Sequence, residues 1–212
     1  MRMKLIFVML ALAIAGILAG GLAAYQSQSV SAGGGEEVGT TSTIHDFQDN
    51  GNVPIMYPQQ RGTSTLVRNA EGISMNLDST DLPVGAYSIW WVIFNKPSEC
   101  GNNECGGSDT GRGGAPNPAE ASVLWATGGM VGPDRQGHFS ARLGVGLSNA
   151  PGEVLRGPAL TDPLGAEVHL IIRFHGTPEW DDPERFLAQQ SIFSGNCDKF
   201  PCYMPQSVAH IP

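Results

Sequence analysis

From about residue 60 onward, hydrophobic side chains recur at every second position, the period of an extended strand with one face buried. In residues 72–78, Ile73, Met75 and Leu77 share one face, with Ser74 and Asn76 on the other. Residues 136–145 repeat the pattern, with Phe139, Ala141 and Leu143 opposite His138, Ser140 and Arg142. In residues 166–174, Val168, Leu170, Ile172 and Phe174 line one side. Glu167, His169, Arg173 and His175 occupy the other with Ile171, and the pattern predicts that this polar side is solvated. Residues 85–95 depart from the rule, because Ile89, Trp91 and Ile93 face one way and Trp90, Val92 and Phe94 the other. A strand apolar on both faces has to be covered twice, so it is expected centrally, with a loop or the leader over its outer side.

Residues 122–131 predict another strand, and the turn chemistry of Gly132-Pro133-Asp134-Arg135-Gln136-Gly137 predicts a hairpin joining it to 136–145. Shorter strands are expected at 63–68 and 207–211. Helix signals are sparse. Asp181-Asp182-Pro183-Glu184 combines a cap, a proline at the first position and an acidic first turn, which predicts about two turns over 183–190. Seven or eight short strands with turns between them imply an all-β fold, an antiparallel β-sandwich of immunoglobulin-like or Greek-key type. Residues 96–120 carry no strand pattern and hold six glycines, two cysteines and 25 residues in all; loops of that length are usually functional or disordered.

The N-terminus has a different character. Arg2 and Lys4 precede twenty small or apolar residues, 5–24, followed by polar residues and Val30-Ser31-Ala32 before Gly33. A basic start, an apolar core and small residues at the −3 and −1 positions describe an export signal, with Leu22-Ala23-Ala24 a second cleavage site. Uncleaved, the same run would span ~30 Å, enough to anchor in a bilayer. The expected organisation is thus a signal or anchor at 1–32, a flexible leader at 33–50 and a β-sandwich domain at 51–212.

Charge narrows the partners. Beyond Arg2 and Lys4, ten basic side chains face twenty acidic ones, too few cations to neutralise a nucleic-acid backbone. In an exported chain the cysteines are expected as disulfides rather than a zinc knuckle. Cys100 and Cys105 are separated by four residues, as are Cys197 and Cys202. Four cysteines allow three connectivities, of which the two local pairs, 100–105 and 197–202, are favoured because each can close a turn.

Candidate chemistry is thin. Asp109-Thr110-Gly111 matches the aspartic-protease triplet, but that reaction needs two such carboxylates and the chain has one copy. His169 and His175 on one strand would lie ~20 Å apart, too far for one metal. Glu167 and His169, two apart, could approach one ion with His138 from a neighbouring strand. Asn102, Asn103, Glu104 and Asp109 offer oxygen ligands without calcium-loop spacing. Trp90, Trp91 and Trp125 fall in strand patterns and are expected in the core, whereas Trp180 sits in a turn and is expected exposed, where it could stack on a sugar. No nucleophile elbow, phosphate loop or His-Glu-x-x-His occurs.

The run Tyr87-Ser88-Ile89-Trp90-Trp91-Val92-Ile93-Phe94-Asn95-Lys96-Pro97, followed by Cys100, resembles a group of exported bacterial single-domain proteins without an established activity. The similarity extends through Phe139-Ser140-Ala141-Arg142-Leu143 and Gly165-Ala166-Glu167-Val168-His169-Leu170 to Cys197 and Cys202. It implies export and a single domain. A vaguer likeness to copper/zinc superoxide dismutase sandwiches lacks their dense histidine cluster.

Together these readings predict a non-catalytic extracytoplasmic module binding an unknown ligand or protein through its loops, with Glu167, His169, Arg173 and Trp180 as candidate binding residues. No cofactor is expected, no nucleic acid, and no membrane contact beyond the N-terminal segment. Two alternatives are a metal-dependent protein using Glu167 and His169, and a carbohydrate-binding module using Trp180.

Overall fold

The computed structural model describes residues 37–47, 60–101, 105–146, 154–195 and 197–212. The expected signal or anchor at 1–32 lies outside them, as do Asn102, Asn103 and Glu104. The alternating segments form antiparallel strands: β2 (Gln60–Asn69), β3 (Gly72–Ser79), β4 (Gly85–Phe94), β5 (Ala121–Val131), β6 (Gly137–Gly144), β8 (Glu167–Phe174) and β9 (Tyr203–His210). Two more strands complete the set, β1 (Val38–Asp46) and β7 (Val154–Arg156). The one α-helix of the described residues, α1 (Pro183–Gln189), starts where expected. The Asp182 carboxylate accepts from the Glu184 and Arg185 amides, both at 3.1 Å.

Three expectations are corrected. Among the described residues the strands number nine rather than seven or eight, and they form one curled sheet in the order β6-β3-β2-β1-β9-β8-β4-β5-β7. Residues 38–46, expected in the flexible leader, form β1, which pairs with β2 from Val38 to His45. The predicted hairpin does not form, because β5 pairs with β4 and β7 while β6 pairs with β3. The turn after β5 instead carries the chain to the opposite end of the strand order. The sheet curls so that β6 nonetheless returns beside β5, with the Phe139 ring 3.0 Å from where a side chain on Gly129 would begin.

The concave side is the core. Ile44, Leu66, Met75, Leu77, Tyr87, Ile89, Trp91, Ile93, Leu124, Leu170, Ile172 and Val208 join in one buried cluster drawn from both halves of the curl. Fully burying each such side chain contributes roughly 1.5–3 kcal/mol. Arg68 enters this interior from β2. Its Nη1 donates to the carbonyls of Pro163 (3.0 Å) and Ala166 (2.7 Å), and its Nη2 to that of His210 (3.0 Å).

The two halves meet at a narrow seam. β1 and β9 pair at His45↔Ser207 and Asp46↔Gln206. Side chains reinforce it: the Ser79 hydroxyl donates to Gln206 Oε1, Gln206 Nε2 donates to Thr80 O at 2.8 Å, and the His210 ring lies 3.0 Å from Ser64 Oγ.

The expectation that β4 is covered twice holds, and loop segments supply the outer cover. At one end Phe94 packs with Cys100, Cys105, Ala119 and Ala121, so the cysteine loop lies over it. At the other end the segment following α1 lies over Trp90. Two glycines permit that approach. A side chain on Gly128 would meet the Gln190 carbonyl at 1.9 Å, and one on Gly195 would meet the Trp90 ring at 2.6 Å.

Candidate functional site

Register fixes which side chains share the convex face of β8 and its neighbours. Glu167 stands opposite Phe94, His169 opposite Val92, Ile171 opposite Trp90 and Arg173 opposite Ser88. Those β4 residues oppose Ala121, Val123, Trp125 and Gly128 of β5, and Val123 in turn opposes Arg156 of β7. Since alternate residues point the same way, all of these project outward together.

Two disulfide-closed segments cover the ends of this strip. Cys100 is bonded to Cys105 and Cys197 to Cys202, the local pairing that the spacing favoured. In the first segment the Asp109 carboxylate accepts from the Gly101 amide (3.0 Å) and the Gly106 amide (2.9 Å). That is the role of the lone Asp-Thr-Gly triplet here: it braces the loop from within. In the second, Trp125 Nε1 donates to Gln190 O at 3.1 Å and Arg173 Nη1 donates to Gly195 O at 2.9 Å. Between the covers, Val92, Trp125, Arg156 and Ile171 remain only half-buried, so that apolar side chains and charged ones share a partly exposed strip.

The polar side of β8 is not solvated as its alternation predicted: Glu167, His169 and His175 are buried and Arg173 is half-buried. His169 Nε2 lies 2.6 Å from Glu167 Oε1, with 9% and 11% of the two side chains exposed, and the Phe94 ring meets the imidazole edge-on at 5.2 Å. Arg173 lies over the Trp90 ring, 5.2 Å from its centre. Burial, with Arg112 and Arg156 repelling it, pushes the Arg173 guanidinium down to about 10.

His175, just past β8, is fully buried beneath the second cover. Its Nδ1 lies 3.1 Å from Pro201 O, and a carbonyl can only accept, so Nδ1 carries the proton. Nε2 therefore accepts from the Ser88 hydroxyl at 2.7 Å, while Ser88 Oγ accepts from Trp90 Nε1 at 2.6 Å. The Ser–His contact has the geometry of a hydrolytic dyad, yet both residues have no exposed surface, so no substrate reaches the oxygen. Burial holds His175 down at about 4. This network escaped sequence reasoning; its visible signal was a serine placed outward on a strand whose other outward residues are apolar.

The candidate residues divide. Glu167, His169 and Arg173 come together on one strip. Trp180 does not join them: it stands before α1, 65% exposed, stacked on Phe186 at 4.5 Å. His138, considered as a third ligand beside Glu167 and His169, is on β6 rather than on a strand next to β8, and it contacts Asp78 at 2.7 Å. Among the described residues no group of three His, Cys, Asp or Glu side chains is placed to hold a metal. No family model, curated protein or solved structure matches the chain.

Proposed function

We propose that this protein is a non-catalytic binding module that works outside the cytoplasm, with its curled sheet as a sandwich-like scaffold and the strip on the convex face of β8 as its ligand seat. Two disulfides among so few cysteines suit an oxidising compartment. The observation that carries the reading is the strip between the two covers, where half-buried apolar residues lie beside Glu167, His169 and Arg173. A rigid floor with ligand contacts supplied by flanking loops is the common arrangement of binding folds. The buried Ser88–His175 pair supports binding over hydrolysis, because its oxygen is walled off from any ligand.

Amide chemical-shift mapping with small molecules extracted from the cell envelope tests the reading. Perturbations are expected at Val92, His169, Ile171 and both covers, and are expected to vanish in Ile171→Trp, which covers the strip. Shifts centred on the outward residues of β3 and β6 would overturn it.

A second reading rests on Trp180. Its exposed ring, stacked on Phe186, offers the flat apolar surface that sugars bind. Retention on immobilised glycans that disappears in Trp180→Ala would favour that site over the strip.

A further inference from the structure

We infer that Arg173, Arg112 and Arg156 together form a receptor for an oxyanion, a carboxylate or phosphate group carried by the ligand of the β8 strip. This inference rests on the strip being the ligand seat and adds the chemistry of what it takes.

The first observation is how Arg173 is held. Nη1 is fixed to the Gly195 carbonyl and the guanidinium plane is seated on Trp90, so the side chain is pre-positioned rather than free. Nε is buried and has no partner. In a guanidinium Nε–H and Nη2 share one edge, the edge that grips a carboxylate or phosphate with two parallel hydrogen bonds. The fold thus engages one end of the group and leaves its two-pronged edge unsatisfied. A buried donor without an acceptor is destabilising, and an oxyanion would relieve it.

The second observation is what surrounds it. Arg156 comes from β7, facing outward in the row of Val123, Val92 and His169, and Arg112 comes from the cysteine loop. Both lie near enough to repel Arg173. Among the described residues no carboxylate pairs with any of the three. Three cations elsewhere do have carboxylate partners: Arg61 with Asp46 and Asp81, Lys96 with Glu120, and Arg185 with Glu179. The one carboxylate of the strip, Glu167, is taken by His169. In a chain of net charge −8, three guanidiniums, two of them near enough to repel the third and none with a carboxylate partner among the described residues, give this strip a local positive potential.

The test uses the full oxidised chain and follows the arginine Nε–H and tryptophan indole NMR signals at fixed sodium chloride. Inorganic phosphate is titrated in one series and citrate in another. Saturable shifts of the Arg173 Nε–H and Trp90 signals are expected. Arg112→Gln and Arg156→Gln, which alter exposed or half-exposed positions, should each weaken binding about tenfold. Arg142→Gln on β6 should leave it unchanged. Saturation by phosphate alone, by citrate alone, or by both supports the inference and reports whether the seat prefers a tetrahedral or a planar anion. If neither anion gives a saturable shift, or if Arg142→Gln weakens the response as much as Arg156→Gln, the inference is overturned. Should a neutral oligosaccharide move the Val92 and Ile171 signals while both anions fail, the oxyanion receptor falls and the reading of the strip as ligand seat stands. Saturable anion binding that shifts only residues remote from the strip would remove both.

Discussion

Two histidine–carboxylate pairs of nearly equal length occupy opposite halves of the sheet. His138 and Asp78 meet at 2.7 Å across β6 and β3, with 66% and 65% of their side chains exposed. His169 and Glu167 meet at 2.6 Å on β8, almost sealed from solvent. In the sequence the two sets are indistinguishable, since each is a polar residue at an outward position of an alternating strand. The difference lies in what covers them. Among the described residues the outward Asn76, Asp78, His138, Ser140 and Arg142 of β3 and β6 are exposed, whereas the convex face of β8 and β4 is roofed by two disulfide-closed segments. Water screens the first pair; the protein must satisfy every donor and acceptor of the second.

The largest expected effect removes the roof's anchor. Trp90→Ala should cost about 3–5 kcal/mol, against less than about 0.5 for Asn76→Ala, outward on β3, as read by urea unfolding. Equal losses at the two positions would erase the contrast. Next, His169→Leu strands the Glu167 carboxylate without its partner and should cost about 3 kcal/mol.

Acid should bear on the covered half through His175, and on the seam through His210. Both are pushed from 6.5 down to about 4, chiefly by burial. A depressed histidine keeps the folded state neutral while the unfolded chain takes up a proton. Stability is therefore complete above pH 6.5 and falls as pH drops from 6.5 through 4, by up to about 3 kcal/mol for each group. His175→Gln should flatten that acid limb, and an unchanged limb would exonerate this residue. Opening a cover is milder. Cys100→Ser with Cys105→Ser should cost about 2 kcal/mol, the chain-entropy value for so short a ring. Hydrogen exchange should then quicken in the cysteine loop while β3 and β6 stay protected. Smallest of all, His138→Ala should change stability by about 1 kcal/mol or less.

Where side chains alternate against a core, the chain announced its own strands: β3, β4, β6 and β8 follow directly from Ile73, Trp91, Phe139 and Leu170 and their neighbours. β1 was illegible because, of Val-Gly-Thr-Thr-Ser-Thr-Ile-His-Asp, only Ile44 is fully buried. That strand is held by ladder bonds to β2 rather than by an apolar face. β7 is too short to show any period. The hairpin error has a similar origin, since turn chemistry fixes where the chain reverses but not which distant strand it meets. The site was half legible. Trp90, Val92 and Phe94 announced that β4 needs an outer cover, and Glu167, His169 and Arg173 were singled out by sharing a side. That the cover comes from the cysteine loop and the segment after α1, and that it seals a Ser88–His175–Trp90 network, depends on contacts between residues far apart in sequence.

β9 is the last strand among the described residues yet occupies a central place in the sheet, wedged between β1, the first of them, and β8. Residues 203–210 carry the few backbone bonds of the seam, with the Gln206 and His210 side-chain contacts that reinforce it. Closure across so long a stretch of chain is slow. Residues far apart in the chain must therefore meet before the seam between the two halves is complete.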